Sequence, residues 1–186
     1  MTLKKMRLFL ITALLCLALP VLAAPPAALK PQAKVGTRAP DFSLRDLNSN
    51  LIRLSDLAYP GDEKSWKKKK QVLIDFFRTD CKPCMKELPQ VLAYYEKHKD
   101  KVQVIMIALL ESENGRDKLD KFLKAHNFEF PVLVDAYETV AKKYIVDGET
   151  VTLPSIFFID RNGMVRARFV GLEENLENSL NKALGG

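Results

Sequence analysis

The stretch that decides the fold is Val72-Leu73-Ile74-Asp75-Phe76-Phe77-Arg78-Thr79-Asp80-Cys81-Lys82-Pro83-Cys84-Met85-Lys86-Glu87-Leu88-Pro89. Its first six residues are a continuous apolar run broken by one acid, the pattern of a strand buried on both faces. From Pro83 to Lys99 the periodicity changes, and Leu88, Val91, Leu92 and Tyr95 recur at helical spacing. Cys81 therefore falls just past a strand and just before a helix. The reactive form of cysteine is the thiolate, which the unpaired N–H groups and positive dipole end of a helix N-terminus favour. The two intervening residues set Cys84 one turn in, within reach of Cys81. Pro83 suits a first turn, where its missing N–H costs nothing. In such a pair Cys81 attacks a disulfide, or is attacked when oxidised, and Cys84 resolves the mixed disulfide.

Working outward, Val102–Leu110 predicts a second strong strand and Gly115–Asn127 a helix with Leu119, Phe122 and Leu123 on one face. A short strand at Val132–Val134 and a short helix at Glu138–Tyr144 follow. Ile156–Asp160 and Met164–Val170 read as strands joined by the turn Arg161-Asn162-Gly163, and Glu173–Leu184 as a closing helix. Upstream, Asp41–Leu44 and Leu51–Leu54 predict a hairpin, and Ser55–Trp66 reads as irregular. Strands alternating with helices imply parallel crossovers, and the late hairpin adds an antiparallel pair to the same sheet. The expected fold is α/β: a central mixed sheet flanked by helices, with an N-terminal β-hairpin extension.

The N-terminus has the order of a secretory signal: Lys4, Lys5 and Arg7, then the apolar run Leu8–Leu19, then small residues ending at Ala24. Residues 1–24 are expected to be a signal peptide, 25–37 an Ala/Pro-rich linker and 38–186 one domain. The apolar run is short of the ~20 residues that span a bilayer. An uncleaved anchor is the rival reading, and membrane contact is expected only in that case. A lipoprotein is disfavoured because bulky Leu15 precedes Cys16. The formal charge of +6 is partly in this segment and partly in Lys67–Lys70, which reads as a solvated loop. No basic stripe interleaved with aromatics points to nucleic acid.

Removing Cys16 with the signal leaves only Cys81 and Cys84. An extracytoplasmic, for instance periplasmic, location permits disulfides, but a bridge this short staples almost nothing. Redox chemistry or half a metal site remains. Structural zinc wants four ligands; this chain has no second Cys pair, and its two histidines, His98 and His126, read as helix-surface residues. Covalent haem needs a His where Met85 stands. No metal or bound cofactor is expected, although a copper(I)-binding module using the two thiolates is an alternative.

Four more positions are candidates. Asp75, mid-strand, is either a buried carboxylate with a raised pKa, able to carry a proton beneath Cys81, or an acid at a solvated strand edge. Glu87, three residues after Cys84, can exchange a proton with the resolving thiol, though an exposed helix carboxylate is the commoner case. Lys82 either favours the thiolate or is simply solvated. Pro154, after Leu153, opens an apolar strand, a place open to proline; most X-Pro bonds are trans.

Taken together, Ile74–Pro89, Leu153–Gly163 and Asp41-Phe42-Ser43-Leu44 resemble the thioredoxin superfamily, and within it the exported TlpA/ResA-like branch, over about residues 38–184. The resemblance implies a thioredoxin-like fold and a thiol–disulfide oxidoreductase with a redox disulfide between Cys81 and Cys84, Cys81 being the nucleophile. It implies that Asp75 matches thioredoxin's buried carboxylate and Glu87 the ResA-type active-site glutamate. It also implies that Pro154 is cis and faces the cysteines, that Leu153 offers backbone to a substrate held also by Lys82 and Pro83, and that Pro89 kinks the helix. The implied partners are thiols and disulfides of exported proteins, apocytochrome c among them, and a membrane or exported redox partner, with the chain acting as reductant. Three features depart from the branch: Asp80 stands where Trp is usual, Phe77 replaces an aromatic that is often Trp, and the loop Asp147–Thr152, expected to border the substrate groove, is longer than the usual approach to the proline. A peroxiredoxin-like peroxidase is a further alternative, but it wants Thr or Ser where Arg78 stands.

Overall fold

The structure is a computed structural model that describes residues 32–59, 61, 69–110 and 112–184. The expected signal peptide, Cys16, Lys67 and Lys68 lie outside the described residues, whereas Lys69 and Lys70, read as part of a solvated loop, are half-buried and donate to Ser55 O and Lys99 O. Nine strands and five helices are described: β1 Ser43–Asp46, β2 Leu51–Arg53, α1 Leu54–Ala58, β3 Gln71–Phe77, α2 Lys82–His98, β4 Val102–Ala108, α3 Gly115–His126, β5 Val132–Val134, α4 Ala141–Tyr144, β6 Val146–Asp147, β7 Thr150–Val151, β8 Ser155–Ile159, β9 Val165–Val170 and α5 Leu176–Leu184.

Seven strands form one mixed sheet in the order β2-β1-β5-β4-β3-β8-β9. β3 pairs parallel with β4, β4 parallel with β5, and β8 antiparallel with both β3 and β9. The N-terminal hairpin is part of this sheet, because β1 pairs antiparallel with β5. β3 lies inside the sheet, so both its faces are covered, which is why its sequence is apolar throughout rather than alternating.

Successive side chains of a strand point to opposite faces. Val72, Ile74 and Phe76 enter one apolar layer, with Leu54 and Ala58 of α1, Tyr144 of α4 and Phe157 of β8. Phe76, Tyr144 and Phe157 pack ring to ring with centroids 5.1–6.0 Å apart; truncating one such buried ring costs about 3–5 kcal/mol. Leu73 and Phe77 enter the opposite layer, with Leu88, Val91 and Tyr94 of α2 and Leu176 and Leu180 of α5. Asp75 shares the face of Leu73 and Phe77, which turns it toward α2.

The structure revises the sequence reading in four places. Ser55–Ala58, read as irregular, belongs to α1, whose Leu54 and Ala58 are fully buried. The helix expected over Glu138–Tyr144 starts only at Ala141, because the buried Asp135 carboxylate accepts hydrogen bonds from the N–H groups of Thr139, Val140 and Ala141. Asp147–Thr152, read as a loop, takes part in a two-stranded hairpin in which Val146 pairs with Val151 and Asp147 with Thr150. Within the stretch 25–37 expected as linker, residues 32–37 lie on the domain: Ala33 is fully buried, Gln32 and Ala33 donate to Lys143 O, and Gly36 and Thr37 exchange backbone bonds with Val165. Among the described residues, no helix is long and apolar enough to cross a membrane.

Candidate active site

β3 ends at Phe77, whose carbonyl accepts from Leu109 N–H, and Arg78–Asp80 turn the chain into α2. Cys81 is the N-cap residue of that helix, in extended conformation, and its Sγ accepts the Cys84 N–H at 3.2 Å. This is the capping bond that Ser or Asp makes elsewhere, here directed at sulfur. The two sulfurs are bonded at 2.06 Å. Cys81 is half-buried and reaches solvent, whereas Cys84 is 4 % exposed and faces the layer beneath. Pro83 sits in the first turn, where no intrahelical donor is missed. Pro89 lies inside the helix, which continues to His98.

Two carboxylates lie on the buried side shared by β3 and α2, the side that also holds Cys84. Asp75 is 3 % and Glu87 1 % exposed. Burial holds the Asp75 carboxyl well above the usual carboxylate range, and the charge of Glu87 pushes it further up. Burial raises Glu87 to about 7, a rise moderated by the hydrogen bond its Oε1 accepts from Glu173 N–H at 3.3 Å and reinforced by the nearby Glu173 charge. Asp75 Oδ1 and Glu87 Oε2 have no hydrogen-bond partner among the described residues. Glu87, for which an exposed helix position is the commoner case, is covered by the segment leading into α5. Gln90 fastens that segment, donating to Glu173 O at 3.1 Å and accepting from Leu176 N–H at 3.1 Å.

The Leu153–Pro154 bond is cis. Pro154 is buried and its carbonyl accepts from Gly171 N–H at 2.9 Å, which brings the exposed Val170 and Leu172 beside the same loop. A groove of about 420 Å³ runs over Cys81, lined by Arg78, Asp80, Lys82, Pro83, Val151 and Leu153. Asp80, which stands in place of an aromatic residue, is paired with Arg78 at 3.1 Å.

Over residues 35–168 the chain matches the AhpC/TSA family. It is 32 % identical over 155 residues to a thiol-disulfide oxidoreductase ResA of Bacillus cereus, an alignment covering 82 % of this chain and 80 % of that protein. The chain belongs to the AhpC/TSA family, with ResA-like relatives. It is a thiol–disulfide oxidoreductase with a thioredoxin-like fold. The fold recurs in a thiol:disulfide interchange protein from Bacteroides sp. (TM-score 0.63, 22 % identity, covering 83 % of this chain and 93 % of that one). It recurs also in StoA from Bacillus subtilis (TM-score 0.59, 22 % identity, covering 78 % and 97 %).

For this AhpC/TSA-family domain the structure brings Asp75, Cys81, Lys82, Pro83, Cys84, Glu87, Leu153 and Pro154 to one end of the sheet. That is the end where β3 finishes and β8, antiparallel to it, begins. The loop Asp147–Thr152, expected from its unusual length to border the groove, does so through Val151. Sequence reading missed Val170 and Leu172, which occupy the exposed end of a strand and the position after Gly171.

Proposed function

We propose that this oxidoreductase works outside the cytoplasm as a reductant of protein disulfides. The observation that carries the reading is a half-buried Cys81 at a helix N-cap, bonded to a buried Cys84. In the dithiol form the Cys81 thiolate attacks a substrate disulfide, a mixed disulfide forms and one substrate thiolate leaves. Cys84 then loses its proton and attacks Cys81 Sγ. The Cys81–Cys84 bond forms, the second substrate thiolate leaves, and two electrons have passed to the substrate. Glu87 and Asp75 are the acceptors for the Cys84 proton, because burial gives both a proton affinity that an exposed carboxylate lacks at neutral pH. Lys82, Pro83, Leu153 and Pro154 form the walls against which the substrate chain lies.

The basic, apolar, then small-residue order of residues 1–24 supports export by a signal peptide, with a short linker ahead of the domain. The exported TlpA/ResA-like branch that the sequence resembles supports the reductant direction, with apocytochrome c among the candidate substrates. Re-reduction then falls to a membrane or exported dithiol partner. The test is trapping with Cys84→Ala, which keeps Cys81 and removes the resolving thiol. The variant is expected to accumulate mixed disulfides with exported proteins. A Cys81 that alkylates readily yet yields no adduct overturns the protein-substrate reading. Equilibration of the wild type with glutathione decides direction: a reductant lies nearer the about −270 mV of thioredoxin than the about −120 mV of DsbA.

A further inference from the structure

The hairpin between α4 and the cis-proline is the part of the site's surroundings that the reaction itself leaves unexplained. Val146 pairs with Val151 and Asp147 with Thr150. Cross-strand partners share a face, so Val146 and Val151 stand on one side of the hairpin and Asp147 and Thr150 on the other. Asp147 and Thr150 are exposed, Val146 is buried and Val151 is half-buried. The turn is two residues, Gly148 and Glu149, with Gly148 at φ +65°, the left-handed conformation that a glycine-first tight hairpin turn requires. The base is fixed. Tyr144, Ile145 and Val146 lie in the apolar layer, Val151 packs against it, and Ser155 Oγ donates to Thr152 O at 2.8 Å. The result is a short, anchored ribbon whose apolar face borders the groove over Cys81.

The two walls of that groove differ. One holds Arg78 and Asp80, paired with each other, and Lys82; the other holds the aliphatic side chains of Val151 and Leu153. Resting on the oxidoreductase reading above, we propose that the β6–β7 hairpin is a selecting lip. Val151 is its specificity-determining residue, and it favours extended protein segments with an apolar side chain next to the reacting cysteine. The sulfur of such a segment meets Cys81 while its apolar neighbour leaves water against Val151 and Leu153. A polar neighbour in the same place loses its hydration against two aliphatic side chains that offer it no hydrogen bond in return. Apolar pockets of this kind discriminate by about 10- to 200-fold for small changes in side chain.

The test uses the reduced mature protein and two peptides, each carrying its one cysteine as a mixed disulfide with thionitrobenzoate. The peptides are identical except for Leu or Ser beside the cysteine. Exchange releases both thiols as the protein passes to its Cys81–Cys84 disulfide, and the coloured thiolate reports the rate. The wild type is expected to prefer the Leu peptide in kcat/KM by at least about tenfold. Val151→Ser is expected to bring the ratio to within about twofold, and Val151→Ile to keep it. Excision of Asp147–Thr150 is expected to act as Val151→Ser does. A wild type that treats the peptides alike, or a Val151→Ser variant that slows both equally and keeps the ratio, overturns the proposal. If the wild type fails to reduce even glutathione disulfide, the oxidoreductase reading itself falls, and the proposal with it.

Discussion

Glu87→Gln isolates the energetic consequence of holding a carboxyl on the buried side of α2. In the oxidised protein burial carries the Glu87 carboxyl from its ordinary 4.5 to about 7. Between those values the folded protein holds a proton that the unfolded chain has released. Stability therefore falls as pH rises through this window and levels off above it. At about 1.36 kcal/mol for each unit of pH, the fall attributable to Glu87 is on the order of 3 kcal/mol. Glutamine does not titrate, keeps an oxygen to accept the Glu173 N–H, and has nearly the same volume. The stability difference, variant minus wild type, should therefore be flat below about pH 4.5 and climb in favour of the variant up to about pH 7. Asp75 titrates in both proteins, and because the charge of Glu87 raises it only in the wild type, any further change above about pH 7 also favours the variant. Urea unfolding of both oxidised proteins at half-unit steps from pH 4 to 8 measures it. A difference that stays level between pH 4.5 and 7, or that climbs in favour of the wild type, refutes the argument that burial sets the proton affinity of Glu87.

Asp75→Asn removes the deeper proton acceptor and is expected to slow the second step of exchange, lengthening the life of mixed disulfides by about tenfold or more, as followed by quench-flow with a peptide disulfide. Asp80→Asn removes an anion next to Cys81 and frees the Arg78 guanidinium; alkylation of reduced Cys81 by iodoacetamide at pH 7 is expected to quicken severalfold. Gly163 sits at φ +78°, and a Cβ there lies 2.3 Å from Tyr59 Cδ1. Gly163→Ala is expected to destabilise the fold by more than about 1 kcal/mol in urea titrations while leaving the potential of the disulfide unchanged.

The layout around Cys81 was legible because the decisive signals are local. A short apolar run rich in β-branched and aromatic residues, broken by one acid, reads as a buried strand, and a change of period with a first-turn proline marks a helix start. Asp75 was half legible: its neighbours announced a buried strand, but whether the strand lay inside the sheet depended on β8, some eighty residues on in sequence. Glu87 was not legible from the residues, since its burial comes from the Glu173 segment and the Gln90 bonds that hold it. The β6–β7 hairpin escaped because each of its strands has only two residues, too few for any alternation to register. α1 escaped for the same reason, being five residues long.

The two-layer division of β3 carries a parity rule. Asp75 lies on the same side of the sheet as Cys84 because it keeps step with Leu73 and Phe77, an even number of residues before the strand's last position. One residue inserted or lost between Asp75 and Phe77 would turn the acid into the opposite layer, against Tyr144 and Phe157, with every apolar residue still present. In comparing such chains, the interval from acid to cysteine is therefore as informative as the acid itself. An acid moved by a single place along this strand cannot stand in for the original.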